Sequence, residues 1–160
     1  MKNKLTLVSC QNNYMPNNQF KKSELYSFIT GVASTAIARR LQKKFNQADL
    51  NLTIEQWSVL YHLWKEDGIS QQDLCKATYR DKPSMTRLVD NLERAGMVKR
   101  IHSKTDRRKN LIYLTDKAKE MQDTCYGFAE ETVEEALEGV SEEKIETCKE
   151  VLKIVYENLR

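Results

Sequence analysis

The spacing of apolar residues departs from the helical value in one place only, and that limits the fold. From Ser23 to Gly96 apolar side chains recur three to four residues apart, the spacing that builds one face of an α-helix. Over "MVKRIHSKTDRRKNLIYLT", Met97 to Thr115, the period falls to two, and strand formers crowd into "LIYLT". Helical spacing then returns, from Ala118 through Val140 and again from Ile145 to Leu159. The expected fold class is therefore mostly α with a small β-hairpin.

Helix boundaries are written into short polar signals. At "LTIEQW", Thr53 is placed to cap, Gln56 to answer it three residues later, and Leu52 to staple onto Trp57. "ISQQDL" repeats the arrangement with Ser70, Asp73, Ile69 and Leu74, and "VSEEKI" offers Ser141 with Val140 facing Ile145. Between the first two signals, Ile54, Trp57, Leu60, Tyr61 and Trp64 are expected to form one face of a helix that Gly68 ends. A short helix from Gln71 to about Thr78 follows. Pro83 then stands where a first helical turn tolerates proline, opening a helix that runs to Gly96.

Composition narrows the class. The chain of 160 residues, 40% hydrophobic and 31% charged, suits one soluble domain, or one lobe plus helices that need a partner. No apolar run nears the roughly 20 residues that span a bilayer, and the opening "MKNKLTLVSCQNNYMPNNQF" is too sparsely apolar for a signal peptide, so the expected location is cytoplasmic. Cys10, Cys75, Cys125 and Cys148 are far apart, and His62 and His102 are the two histidines. No metal site or cofactor is expected of such a set. The formal charge of +3 conceals a division. Residues 70–110 carry a net +6, residues 116–160 a net −7. A basic middle joined to an acidic end points to a polyanionic partner for the middle alone.

That middle holds the candidate site. At 100° per residue, Met85, Leu88, Val89 and Leu92 converge on one side of the "PSMTRLVDNLERAG" helix, which must be its core face. Pro83, Arg87, Asp90 and Arg94 point the opposite way, with Ser84, Thr86 and Asn91 on the flanks. The outer face is short, polar and cationic in its N-terminal half, as in helices that read base edges in the major groove. The hairpin tip gathers Lys104, Arg107, Arg108 and Lys109 around one acid, Asp106. Phosphates or a narrow minor groove relieve that repulsion. Asp106, which phosphate would repel, braces the turn.

These residues carry a resemblance. "DKPSMTRLVDNLERAGMVKRIHSKTDRRKNLIYLTDKAKE" is similar to the recognition helix and wing of the multiple-antibiotic-resistance regulator (MarR) family of winged-helix repressors. The shared features are Asp-Lys-Pro-Ser-x-Thr-Arg-Leu-Val-Asp at Asp81–Asp90, Leu92-Glu-x-x-Gly at Leu92–Gly96, Asp106-Arg-Arg108 and Leu114-Thr115. The helix order also matches from about Ser23 onward. Ala118 stands where the family often has glycine, and residues 1–22 match nothing in it. The resemblance implies a homodimer with intertwined first and last helices that grips a palindromic operator as a repressor, in many members released by a small aromatic ligand or by cysteine oxidation. It implies an N-terminal dimerisation helix at 23–50, a winged helix-turn-helix lobe at 51–115 and C-terminal dimerisation helices at 116–160, while residues 1–22, rich in Asn, Lys and Gln with Pro16, are expected from composition to form a flexible arm. Independently of it, the first and last helical segments have continuous apolar faces that a small lobe cannot cover.

The expected partner is double-stranded DNA, with no membrane role. Arg87, Ser84 and Thr86 are expected to read bases beside Pro83. Arg107 and Arg108 act at the wing, and Lys82, Lys99, Arg100, Lys104 and Lys109 serve phosphates. Arg94 lies too far along its helix to read bases. A winged-helix adaptor for a protein partner is the alternative, since fold alone does not set function; cations on both helix and wing argue against it. An enzyme is not expected, because no phosphate-cradling glycine loop, His–carboxylate metal pair or nucleophile elbow is present. Tyr26, Phe28, Tyr61, His62 and Trp64 are candidates to line a small-molecule effector cleft, although core packing accounts for most of them as well. His62 reads as a histidine beside the core, and Cys10 as a redox candidate with only Lys2 and Lys4 near it in sequence.

Overall fold

The computed structural model describes residues 31–103 and 110–159. In chain order these form α1 (Ala33–Gln47), α2 (Ile54–Lys65), β1 (Ile69–Ser70), α3 (Gln71–Thr78), α4 (Lys82–Arg94), β2 (Val98–His102), β3 (Asn110–Leu114), α5 (Asp116–Glu120), α6 (Gln122–Ala136) and α7 (Glu142–Asn158). The arm at 1–22, Tyr26, Phe28, Cys10 and the wing tip residues Lys104, Asp106, Arg107, Arg108 and Lys109 lie outside the described residues.

Local chemistry sets most starts. Thr53 accepts from the Gln56 amide at 3.2 Å while the Gln56 side chain accepts from the Thr53 amide at 2.9 Å, a complete capping box for α2. Ser70 caps α3 by accepting from the Asp73 amide at 3.1 Å, and its hydroxyl donates back to the Asp73 carboxylate at 2.6 Å. Ser141 stands at the N-cap of α7 with extended backbone, yet its side chain makes no capping hydrogen bond. That corrects the expectation drawn from the same sequence signal.

β1, two residues long, was not expected from the sequence. It pairs antiparallel with β3 through Ile69–Ile112 and Ser70–Leu111, giving the sheet order β1-β3-β2. β2 and β3 form the expected hairpin, with Val98 opposite Leu114 and His102 opposite Asn110. Gly68 leads into β1 with φ +76°, its amide donating to the Ile112 carbonyl at 3.1 Å. Asp67 holds the same turn, one carboxylate oxygen accepting from the Gly68 and Leu114 amides at 3.0 and 2.8 Å.

One core joins these elements. Phe45 of α1, Leu60 and Leu63 of α2, Leu74 of α3, Met85, Val89 and Leu92 of α4, Ile112 of β3 and Cys125 of α6 are all fully buried. In α2 the deepest residues are Val59, Leu60 and Leu63, while Ile54, Trp57 and Trp64 are only partly buried. The expected single face is thus two: an aliphatic stripe toward the core and an aromatic stripe toward α6, where Tyr126 meets Tyr61 and Trp64. Burial holds the Cys125 thiol up at about 11, so at neutral pH it is an inert small hydrophobe.

The helical run after Thr115 is divided. Met121, in near-helical geometry, separates α5 from α6. α6 packs along α1 through Phe45 and Phe128, whose ring centroids are 6.3 Å apart. Charge reinforces that pairing: Lys44 lies 2.6 Å from Glu131 and 3.0 Å from Glu135, and Arg40 also pairs with Glu135. Hydrogen bonds from Arg40 and then Lys44 hold the Glu135 carboxyl down at about 2. α7 has no buried residue. Val151, Leu152, Ile154 and Tyr156 stay exposed along it, with Val140 before it and Leu159 after it.

Candidate nucleic-acid interface

α4 begins in a cap that its own sequence supplies. Asp81 has extended backbone and its carboxylate accepts from the Ser84 amide at 2.7 Å. Bonds from the Ser84 amide and hydroxyl, with Arg87 nearby, hold that carboxyl below its ordinary value. Pro83 occupies the first turn, where its missing N–H costs nothing. Beneath, Met85, Val89 and Leu92 are fully buried, and this anchored underside sets which residues face out. Lys82, Pro83 and Arg87 are exposed, and Ser84 is half-buried beside them. Lys99 is exposed on β2. The N-terminal end of α4 therefore carries two exposed cations, a proline and a serine, on a helix end whose amides add positive potential.

Two expected members of that surface are engaged elsewhere. The Thr86 hydroxyl donates to the Lys82 carbonyl at 2.9 Å and accepts from the Gln71 side-chain amide at 2.7 Å, so Thr86 fastens α3 to α4 instead of presenting a free hydroxyl. Arg100 was expected at phosphates. Its guanidinium instead donates to the carboxylates of Asp90 and Glu93, and its backbone amide donates to Glu93 at 3.2 Å. The reason is proximity: antiparallel pairing with β3 lays β2 beside the last turns of α4, where those two acids stand. Arg94 bonds Asn91 and the Asp90 carbonyl, away from the helix N-terminus. Sequence reasoning missed Gln71, Asp90 and Glu93 as partners. In sequence Asp90 reads only as outward-facing, and nothing in the pattern marks Gln71.

Of the candidate cleft residues within the described range, Tyr61 lines an open groove of about 460 Å³ with Trp57, Tyr126, Ala129 and Val133, rimmed by Glu130 and Glu134. Trp64 is turned into the fold, its Nε1 donating to the Ala118 carbonyl at 2.9 Å. His62 stacks edge-on against Tyr61, and burial followed by the Lys65 charge keeps its pKa below the usual imidazole value. Lys65 Nζ sits 4.1 Å from the Tyr61 ring centroid. Trp57 and Tyr126 were not foreseen there. Among the described residues the buried Trp57 Nε1 has no hydrogen-bond partner. Also among them, no cluster of three His, Cys, Asp or Glu side chains is placed to hold a metal, and no helix is long and apolar enough to cross a membrane.

Comparison with known proteins bears on the family and the fold. The model of the MarR family matches residues 52–109. The HTH-type transcriptional regulator TtmR of Methylorubrum extorquens (strain PA1) is 37% identical over 68 residues, 42% of this chain and 35% of that protein. The chain thus matches about a third of the length of that curated relative. Among solved structures, the S. aureus MepR–DNA complex is similar with a TM-score of 0.74 and 27% identity, covering 88% of this chain and 99% of that one. A mutant of E. coli MarR complexed with operator DNA superposes with a TM-score of 0.76 at 22% identity, covering 86% of this chain and 98% of that one, a likeness of fold.

Proposed function

Because this chain belongs to the MarR family of winged-helix proteins, we propose that it is a transcriptional repressor that binds a palindromic operator as a homodimer. The N-terminal half of α4 enters the major groove, with Arg87 and Ser84 at base edges. Lys82 and Lys99 meet phosphates, and the basic run from Lys104 to Lys109 serves the minor groove. The observation that carries this reading is the exposed face of Lys82, Pro83 and Arg87 on a helix whose underside is fully buried. A rigid, correctly aimed helix end is what base reading requires.

The homodimer accounts for α7. Its exposed Val151, Leu152, Ile154 and Tyr156 have too little of this chain against them, and covering apolar area with a second copy yields about 25 cal/mol per Å². Two lobes on a two-fold axis then read half-sites about one DNA turn apart. A small aromatic effector is assigned to the open groove lined by Trp57, Tyr61 and Tyr126, whose ring faces suit stacking.

Titrating a labelled duplex from upstream of its own gene against excess unrelated DNA tests the reading. Binding that survives the competitor and falls with salt is expected. Arg87→Ala should cost about 1–3 kcal/mol on that duplex. Loss of the same size on unrelated DNA would remove Arg87 from base reading, and no affinity for any duplex would remove the function. An effector that releases DNA equally well from a Tyr126→Ala variant acts outside the groove.

A further inference from the structure

We propose that Arg100 is a positioning residue for the DNA-reading face of α4 and makes no phosphate contact itself; this rests on the function proposed above. Its guanidinium is already committed within the fold. Arg100 lies on β2, and its side chain is 22% exposed against 47% and 40% for Asp90 and Glu93. One terminal nitrogen donates to Asp90, the other to Glu93, and the first also approaches the Thr86 carbonyl at 3.5 Å. The backbone amide of the same residue donates to Glu93 at 3.2 Å. One residue of the hairpin thus grips three successive turns of the helix.

A planar guanidinium spanning two carboxylates is held in direction as well as in place. To reach a phosphate it must leave both acids, and those acids would then stand uncompensated beside the DNA backbone. Within the clamp the three charges leave a single negative charge, and the cations at the N-terminal end of α4 set the sign of the reading surface. The helix is also fastened from its other side, where Gln71 of α3 holds the Thr86 hydroxyl at 2.7 Å. Gln71 and Arg100 act on the same turn from opposite neighbours. Rotation of α4 about its axis, which would swing Arg87 and Ser84 off their bases, is resisted by both.

The test compares wild type, Arg100→Ala, Arg100→Lys and the double variant Asp90→Asn with Glu93→Gln. The probes are the duplex bound by wild type and an unrelated duplex, each titrated over a range of salt, with circular dichroism confirming that each variant is folded at the assay temperature. Arg100→Ala is expected to lose about tenfold on the specific duplex, the order of one misplaced base contact, with unrelated-duplex affinity and salt slope unchanged. Lysine should fail to restore specificity, because a point charge cannot span both acids. The double variant opens the clamp without touching Arg100 and should also lose specific affinity. Three results overturn the proposal. Equal losses on both duplexes with the salt slope lowered by about 1, restored by lysine, make Arg100 a phosphate contact. A gain on both duplexes in the double variant makes it a phosphate contact restrained by the acids. Unchanged specific affinity in folded Arg100→Ala leaves the clamp a stabilising contact only. If wild type binds no duplex, the function proposed above fails first and this inference with it.

Discussion

Gly68→Ala should destabilise the fold by about 2 kcal/mol, from two separable causes. The first is local. Gly68 has φ +76°, and a side chain in that left-handed region costs about 1 kcal/mol. The second is steric. A Cβ built on Gly68 falls 2.7 Å from Tyr113 Cε1, 2.8 Å from Cζ and 3.0 Å from the hydroxyl oxygen, distances that require something to move. The obstacle is the far end of a half-exposed side chain, so the ring swings aside. An off-rotamer torsion of that kind costs about 0.5–1.5 kcal/mol. Urea unfolding at a fixed protein concentration measures the total, because the proposed dimer makes stability concentration-dependent. The same substitution in a Tyr113→Ala background separates the causes, because removing the ring should leave only the backbone cost of about 1 kcal/mol. An identical cost in both backgrounds would show that the clash plays no part. A cost below about 0.5 kcal/mol in the wild-type background would refute the requirement for a positive φ at this turn.

Two further expectations use paired comparisons. Ser70→Ala should cost about 1 kcal/mol in chemical denaturation through loss of the α3 cap, whereas Ser141→Ala, which removes no capping bond, should be close to neutral; equal costs would mean that the sequence signal, not the bond, stabilises the helix. Glu135 has a folded-state pKa of about 2, below its ordinary 4.5, so its pairing with Arg40 and Lys44 contributes stability that is present above pH 4.5 and lost as pH falls toward 2. The Tm difference between wild type and Glu135→Gln should therefore be present at pH 7 and shrink across that window, and a difference independent of pH would assign the effect to packing.

How much was legible in the chain follows from how far apart the interacting residues are. The α2 capping box closes within four residues, and α3 ends where its pattern ends, at Thr78. The core face of α4 is a repeat along a single helix, so Met85, Val89 and Leu92 could be named from spacing alone. β2 and β3 announce themselves by the change of period. The basic character of residues 70–110 is a property of composition, which no fold can alter. All of this is short-range chemistry, and the sequence by itself determined it.

Side-chain partners belong to the tertiary structure. Arg100 reads in sequence as one more cation in a basic stretch, but it stands beside two acids seven and ten residues earlier because β2 folds back along α4. Thr86 reads as a base contact until α3 brings Gln71 across fifteen residues to its hydroxyl. Trp64 finds its acceptor fifty-four residues away at Ala118. Ser70 and Ser141 carry the same local signal, and one caps while the other does not. A polar side chain bonds whatever packing places within about 3 Å, and packing is decided by the whole set of apolar contacts at once. Periodicity names the face a residue occupies; only the assembled core decides what stands opposite it.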